Sequence, residues 1–268
     1  TIPESITSIG EEAFEWCKSL KSIVIPESVS HIGRAAFSEC ISIKEIIIPE
    51  SVTGLGESIF EKCSSLERAT IPESLNILPN STFSECYSLR SITIPQGIST
   101  IGNEAFYDCY NLESINIPES VTQIGNGTFA YCESLNKLVL PESMEKIGRM
   151  AFEGCIGLRS ITIPYGISNI ETSLFNKCSS LTEIILPESI TKIGSSAFQS
   201  CSGLTKLTIP SSVVSISDYM FSGCTSLATL IFLPPNVPSG GGSNMFKNCS
   251  NIPRILVPAA SVDAYKSA

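Results

Sequence analysis

Residues 20–42 read LKSIVIPESVSHIGRAAFSECIS, and the same pattern recurs along most of the chain. Its period is kept by the cysteines, of which ten are spaced by 23 residues and the last follows after 25. They are Cys17, Cys40, Cys63, Cys86, Cys109, Cys132, Cys155, Cys178, Cys201, Cys224 and Cys249. A strict period of this length is typical of a solenoid, in which each unit buries its apolar side only against its neighbours.

One repeat unit predicts one coil of the solenoid. Residues 20–25 alternate in period 2 and are rich in β-branched side chains, which indicates a short strand. Pro26 ends this strand because proline cannot donate to a ladder. Gly33 then opens a turn or short helical stretch that places Phe37 and Cys40 on one face. Since the strand returns once per unit in the same direction, the strands must be parallel, and we expect their tighter packing to put them on a concave face.

The unit Leu-x-x-Ile-x-Ile-Pro-x-x-Val-x-x-Ile-Gly-x-x-Ala-Phe-x-x-Cys resembles the 23-residue leucine-rich repeat of BspA-like proteins. The resemblance extends over residues 1–232, and residues 257–266 look like the segment that closes such proteins. The predicted fold is an α/β leucine-rich repeat solenoid, right-handed and curved, with a parallel concave sheet. Its convex side is expected to be mostly irregular, 3₁₀ or short helical. The resemblance further implies a cell-surface or secreted bacterial or protozoal protein that adheres to host extracellular-matrix proteins.

The repeat frame fails after Pro210, which divides the chain into two parts. Residues 1–232 are predicted to be the solenoid of about ten units, truncated at its first unit. Residues 233–268 contain a loop by composition, one more Phe-Cys motif at Phe246 and Cys249, and a short predicted helix at 259–268. We therefore expect an irregular last repeat and a C-terminal cap there.

The beginning of the chain carries a separate expectation. The sequence starts in the middle of a unit, at Thr1-Ile2-Pro3, so we expect further repeats or a cap upstream in the natural protein. The first coil would then expose apolar core and an unpaired strand edge, which is a template for self-association.

Charge and hydropathy exclude several partners. The formal net charge is −9, which disfavours nucleic acid and anionic membrane. The apolar runs are only a few residues long, so the sequence predicts no membrane insertion.

The cysteines are expected to be free and buried, since their number is odd and each takes the same inward position beside a phenylalanine. A zinc site needs converging ligands, usually with C-x-x-C spacing, and the sequence has none. Glutamates follow the strand-ending proline in seven units, and this column is either a solvated edge or a strip for calcium or a cationic partner. They are Glu4, Glu27, Glu50, Glu73, Glu119, Glu142 and Glu188.

Catalysis is not expected. The single histidine, His31, lies in a predicted surface column and has no nucleophile in register. We therefore predict no catalytic residue, no metal site and no cofactor.

The outward positions of the predicted strands are the better candidate for binding, because extended concave sheets are the surfaces that solenoids offer. The last of these positions is filled mainly by threonine, valine and isoleucine, which are also simply good strand residues. Six residues are predicted to bind a ligand on the concave face: Tyr87, Arg90, Tyr110, Glu113, Asn116 and Arg159.

Two functions of different class remain open. The first is a non-enzymatic binding or adhesion module of the cell surface that presents its concave sheet to a protein partner. The second is a structural spacer or stalk of a larger surface protein, with no specific ligand site.

Overall fold

A computed structural model describes residues 2–250 and 252–267, which form a solenoid of parallel strands with about eleven turns. Its apolar core is one cluster that runs from Ile9 to Phe232. The predicted parallel-strand solenoid is therefore confirmed.

A column of stacked phenylalanines forms the axis of this core. The rings from Phe37 to Phe221 are fully buried. Neighbouring rings from Phe14 to Phe246 lie 5.2–5.9 Å apart between centroids, with interplanar angles of 0–17°. This offset stacking is a favourable geometry for aromatic pairs. The side chain at this position therefore sets the same packing in every coil.

The longer strands lie in the stretch before the repeated proline, as the sequence predicts, and we call their surface the strand face. Inward and outward side chains alternate: Ile46 is buried, whereas Glu45 and Ile47 are exposed. The strands of this face are Glu45–Ile47, Arg68–Thr70, Ser91–Thr93, Ser114–Asn116, Ser160–Thr162, Glu183–Ile185, Lys206–Ile209, Thr229–Phe232 and Arg254–Leu256.

A second column of two-residue strands, which the sequence analysis did not predict, runs along another side of the solenoid. Its members pair in parallel, for example Ser8 with His31 and Ile9 with Ile32. These strands are Ser8–Ile9, His31–Ile32, Gly54–Leu55, Ile77–Leu78, Thr100–Ile101, Gln123–Ile124, Lys146–Ile147, Asn169–Ile170, Lys192–Ile193, Ser215–Ile216 and Ser239–Gly240.

The remaining side of each coil, which we call the turn side, consists of turns. The expected 3₁₀ or short helical structure is not found there, and the α/β description does not apply. The reason is visible at Ala35 and Glu39, which have φ values of 52° and 56° and so interrupt any right-handed helix within one turn. The amides point along the solenoid axis instead, and Phe37 N donates to Ile59 O of the next coil at 3.0 Å.

Backbone hydrogen bonds hold the turn side together more regularly than the strand face. Within the described residues, no backbone hydrogen bond joins residues 67–71 to 90–94, 136–140 to 159–163, or 182–186 to 205–209. Residues 21–25, for which the repeat pattern predicts a strand, also lack such bonds to the next coil and form no strand. The strand face is therefore bonded less regularly than the turn side, while its tighter side-chain packing and the concave curvature expected from it stay predictions.

Glycine allows close approach of successive coils at the turn after the two-residue strand. A Cβ atom on Gly33 would lie 2.6 Å from Glu11 N, and Gly33 N donates to Ile9 O at 2.8 Å. Pro79, Glu171 and Ser217 replace this glycine. In the described part of the chain, the two-residue strands do not pair at the junctions of Pro79 and Glu171, whereas Ser215–Ile216 still pairs with Lys192–Ile193 just before Ser217. Proline has no donor, and the glutamate side chain needs the space that the neighbouring backbone fills.

The cysteine thiols are free, and those from Cys40 to Cys224 are buried. Each of them donates to the carbonyl of a phenylalanine in the preceding coil, as Cys63 Sγ does to Phe37 O at 3.1 Å. The expectation of eleven buried thiols is wrong for Cys17, which is exposed, and for Cys249, which is half-buried. Cys17 lies in the first coil, where no earlier coil covers it.

The C-terminal segment contains a 3₁₀ turn, Ala259–Ser261, and an α-helix, Val262–Ser267. This agrees with the helix predicted for 259–268, of which Ala268 lies outside the described residues. Tyr265 packs on Phe232 with centroids 5.9 Å apart, and its hydroxyl donates to Pro234 O at 3.0 Å. The segment closes the core only in part, since an opening of about 1130 Å³ lies between the helix and the last coil.

Candidate ligand-binding face

The strand face opens where its backbone ladder is interrupted. A cavity of about 470 Å³ lies between residues 136–140 and 159–163 and extends to the next strand. Val139 and Ile185 line it with side chains that are 68 % and 51 % exposed. Asn136 and Glu183 add polar groups at the same cavity. It therefore offers both apolar contact area and hydrogen-bonding groups to a ligand.

The local sequence accounts for part of this separation. In the next coil, Glu171 replaces the glycine of close approach, and Lys146–Ile147 does not pair with Asn169–Ile170. Among the described residues, the junction also lacks backbone bonds on the strand face. Leucine at positions 138 and 140 does not explain this, because Leu207 and Leu230 hold the position of Leu138 in strands that pair over four residues.

A smaller opening of about 230 Å³ lies between Arg68–Thr70 and Ser91–Thr93. Ala69 lines it, in a position that is isoleucine in most units. The missing side-chain volume accounts for the opening. The sequence already predicts this deficit, because alanine at a core position leaves space that its neighbours fill only in part.

Four of the six predicted binding residues lie on or beside the strand face. Arg90 Nη1 and Glu113 Oε1 form an ion pair of 2.9 Å between neighbouring coils. Asn116 pairs with Thr93 in the strand next to them. Arg159 is exposed and directly precedes Ser160–Thr162, at the border of the larger cavity. The structure thus brings Arg90, Glu113 and Asn116 together and leaves Arg159 two coils away.

Tyr87 and Tyr110 do not lie on the strand face. They follow the buried Cys86 and Cys109, at the edge between the turn side and the strand face. The two rings pack on each other with centroids 5.4 Å apart. The Tyr87 hydroxyl donates to Glu85 Oε2 at 2.8 Å, so its polar contact is on the turn side.

Between residues 44 and 113, charged side chains of the strand face pair with each other across neighbouring coils. Lys44 Nζ lies 3.2 Å from Glu67 Oε1, and Arg68 Nε lies 3.4 Å from Glu45 Oε1. Such exposed pairs contribute little to stability, about 0–1 kcal/mol. They do leave this part of the face nearly neutral, so that the apolar side chains beside them, such as Ile47 at 62 % exposure, are its distinguishing feature.

The structure also places the residues that the sequence analysis considered for metal binding and catalysis. Among the described residues, no group of three or more His, Cys, Asp or Glu side chains is placed to hold a metal ion. The glutamates of the column after the proline are all exposed, which fits a solvated edge. His31 is exposed beside Gly54.

Comparison with known proteins identifies the repeat. The model of the BspA type leucine rich repeat region matches six copies, over residues 1–113, 99–228 and 191–268. The chain belongs to this family. No curated protein matches it.

One solved structure supports this assignment, and two more distant ones share the fold of this BspA-type repeat protein. A leucine-rich repeat protein from Bacteroides ovatus is 33 % identical, with a TM-score of 0.78 over 98 % of this chain and 73 % of that one. A leucine rich cell surface protein from Faecalibacterium prausnitzii shares the fold at 24 % identity, with a TM-score of 0.59 over 97 % and 72 % of the two chains. The pneumococcal vaccine antigen PcpA does so at 20 % identity, with a TM-score of 0.61 over 99 % and 75 %.

The BspA-type family is a repeat family rather than a catalytic one. Its relatives here include a protein described as a cell surface protein. In residues 2–250 and 252–267 there is no helix long and apolar enough to cross a membrane.

Sequence reasoning did not predict where the strand face opens, nor that Tyr87 and Tyr110 lie outside it. The alternation of strand residues indicated the exposed row with Val139 and Ile185, but it could not show that two strands separate beside them. The substitutions at Ala69 and Glu171 were the available signals. The positive φ of Tyr131 and Lys177, at 61° and 64°, was signalled only indirectly, by Gly154, which lies between them in the same column of the repeat with a φ of 71°.

Proposed function

We propose that this chain is a non-enzymatic binding module of the cell surface that holds a protein ligand on its strand face. The observation that carries the proposal is the cavity of about 470 Å³ with Val139 and Ile185 exposed along its walls. Exposed apolar side chains at a concavity, flanked by polar groups, are typical of binding surfaces. The unbonded backbone at the same cavity adds donors and acceptors for an extended segment of the ligand.

A host extracellular-matrix protein is the ligand class that the family suggests. The test uses immobilised fibronectin, laminin and collagen, with binding of the purified chain followed by surface plasmon resonance. The double variant Val139→Ser with Ile185→Ser should weaken binding by about tenfold or more, since two exposed apolar contacts are lost.

The control removes two equally exposed apolar side chains elsewhere. Ile77 and Val214, 47 % and 61 % exposed, belong to or adjoin the two-residue strand column. The variant Ile77→Ser with Val214→Ser should bind as the unchanged chain does. Equal losses in both double variants, or no binding to any matrix protein, would contradict the proposal.

The rival function is a stiff spacer that holds another domain away from the cell. The continuous ring column from Phe14 to Phe246 favours it, because one unbroken core resists bending. A spacer would show no ligand and no effect of Val139 or Ile185 on binding.

A further inference from the structure

A second surface lies away from the strand face, on the edge of the turn side. Four of the seven tyrosines of the chain lie here in three neighbouring coils: Tyr87, Tyr107, Tyr110 and Tyr131. We call this surface the tyrosine ridge. Other coils have mostly small, charged or aliphatic side chains at the same positions.

The rings form two pairs across coil junctions. Tyr87 and Tyr110 are tilted at 34° with centroids 5.4 Å apart, and Tyr107 and Tyr131 meet edge to face at 5.7 Å. Tyr110 is 41 % exposed, and the other three are half-buried. The pairing holds the rings in place, so a ligand would lose little side-chain entropy by ordering them.

Three carboxylates lie among these rings. Burial, together with the negative charges of Glu85 and Glu133, raises the pKa of Asp108. Asp108 lies between Tyr107 and Tyr110 in the sequence, and its amide donates to Ala130 O, next to Tyr131, at 2.8 Å. It therefore lies beside both ring pairs. Its negative charge raises the pKa of Tyr110, and burial together with that charge raises the pKa of Tyr107.

Few cations of this chain neutralise the ridge. Within the described part of the chain, neither Asp108 nor Glu133 has an ion pair within 4.0 Å. Lys62 reaches Glu85 only at 4.0 Å. Lys177, at the other end, is held by Glu153 Oε1 at 3.2 Å and by the Tyr131 hydroxyl at 3.0 Å.

A single metal ion does not suit this arrangement. No three carboxylates of the described residues converge as metal ligands would. Charges that are spread along an edge fit several separate cationic groups better than one ion.

We propose that the tyrosine ridge binds an arginine-bearing segment of a protein partner. A guanidinium group stacks on aromatic faces and forms paired hydrogen bonds with carboxylates, so it uses both components of the ridge. Its positive charge also offsets the negative charges of Asp108 and Glu133, which have no ion pair among the described residues. This surface is separate from the cavity of the strand face, and the proposal does not depend on the function proposed for that face.

The test measures fluorescence anisotropy of a labelled peptide of alternating arginine and glycine in about 0.15 M salt, where long-range attraction is screened. Two variants remove the two components of the ridge. Tyr110→Ser removes an exposed ring and introduces the residue that Ser64 and Ser179 provide in other coils. The variant Asp108→Asn with Glu133→Gln removes charge, and asparagine tolerates the φ of 58° at position 108. Each variant should weaken binding by about tenfold.

Matched controls separate the ridge from general attraction to an acidic chain. Tyr165→Ser removes a ring that is 69 % exposed elsewhere, and Glu27→Gln with Glu119→Gln removes two exposed charges. These changes should alter binding less than about twofold. The peptide with lysine in place of arginine should bind more weakly to the unchanged chain, and Tyr110→Ser should abolish that preference. The proposal is overturned if the controls lose as much affinity as the ridge variants, if the preference for arginine survives Tyr110→Ser, or if the arginine peptide does not bind.

Discussion

Glu171 faces Ile147 across a coil junction without the backbone hydrogen bond that joins these two positions in most other coils. One coil later, Gly194 N donates to Ile170 O at 2.7 Å. At the junction of Glu171 the strand face also lacks backbone hydrogen bonds between the two coils. Among the described residues, the coils 136–158 and 159–181 are therefore joined by backbone hydrogen bonds only along the turn side. There Phe152 N donates to Leu174 O at 3.1 Å.

This junction should open more readily than the others. Leu140, Ser168 and Glu171 have amides without a backbone acceptor in the described structure. We expect them to exchange with deuterium at least about tenfold faster than protected amides, because exchange follows the free energy of local opening. Hydrogen exchange followed by mass spectrometry or NMR measures this.

The controls are the same positions one coil later. Ile163, Thr191 and Gly194 have amides that donate to Ile185, Ser168 and Ile170 at 3.0, 2.8 and 2.7 Å. After correction for intrinsic rates, equal protection in the two sets would show that the junction is as tight as its neighbours.

Replacing the glycine of close approach should cost stability where the neighbouring backbones touch it. A Cβ atom on Gly125 would lie 2.5 Å from Asn103 N and 2.7 Å from Gly102 C, so Gly125→Ala must push two backbones apart. We expect a loss of about 1–3 kcal/mol in the free energy of unfolding, measured by urea titration. Gly10 holds the same position in the first coil and has no atom within 4 Å of its added Cβ. Gly10→Ala should leave stability unchanged or raise it slightly, and equal losses would refute the explanation.

The phenylalanine column should dominate the stability of the core. Phe106 is fully buried between Phe83 and Phe129, with centroids 5.6 and 5.5 Å away. Phe106→Ala should cost about 3–5 kcal/mol, the range for a buried aromatic. Phe14 stacks on one ring only and is half-buried, so Phe14→Ala should cost clearly less. A cost below about 1 kcal/mol for Phe106→Ala would show that the column is not what holds the coils together.

The thiols should differ sharply in reactivity. Burial raises the pKa of Cys40 to about 11 and that of Cys155 to about 12, so both stay protonated and shielded near neutral pH. Cys17 is exposed. An aromatic disulfide reagent should therefore modify Cys17 at once in the folded chain, and Cys17→Ser should remove this fast phase. Unfolding without reductant should release all eleven thiols, and a native count near eleven would contradict the buried column.

Self-association through the first coil remains a prediction. Trp16 is 56 % exposed there and Ile6 is 37 % exposed, which leaves apolar surface at that end. Sedimentation of the chain at rising concentration would measure it, and a monomer throughout would reject it.

The six predicted binding residues show how much of the candidate site the sequence could predict. Its period placed Arg90, Glu113 and Asn116 on one face, and the structure finds them there. It placed Tyr87 and Tyr110 on the same face, whereas their position after the buried cysteine turns them toward the turn side. Periodicity assigns a residue to a column of the repeat, but the side of the solenoid on which that column lies depends on the turn that precedes it.

The sequence by itself determined the repeat, the parallel strands, the buried phenylalanine and cysteine columns and the family, because each follows from one side chain returning at a fixed interval. Only the tertiary structure decided which junctions close. That outcome depends on whether side chains such as that of Glu171 allow two neighbouring backbones to meet, which is a property of pairs of coils and not of any single unit. The tertiary structure also decided the second strand column and the turns at Ala35 and Glu39, because hydrogen bonds between coils stabilise them and local residue preference does not.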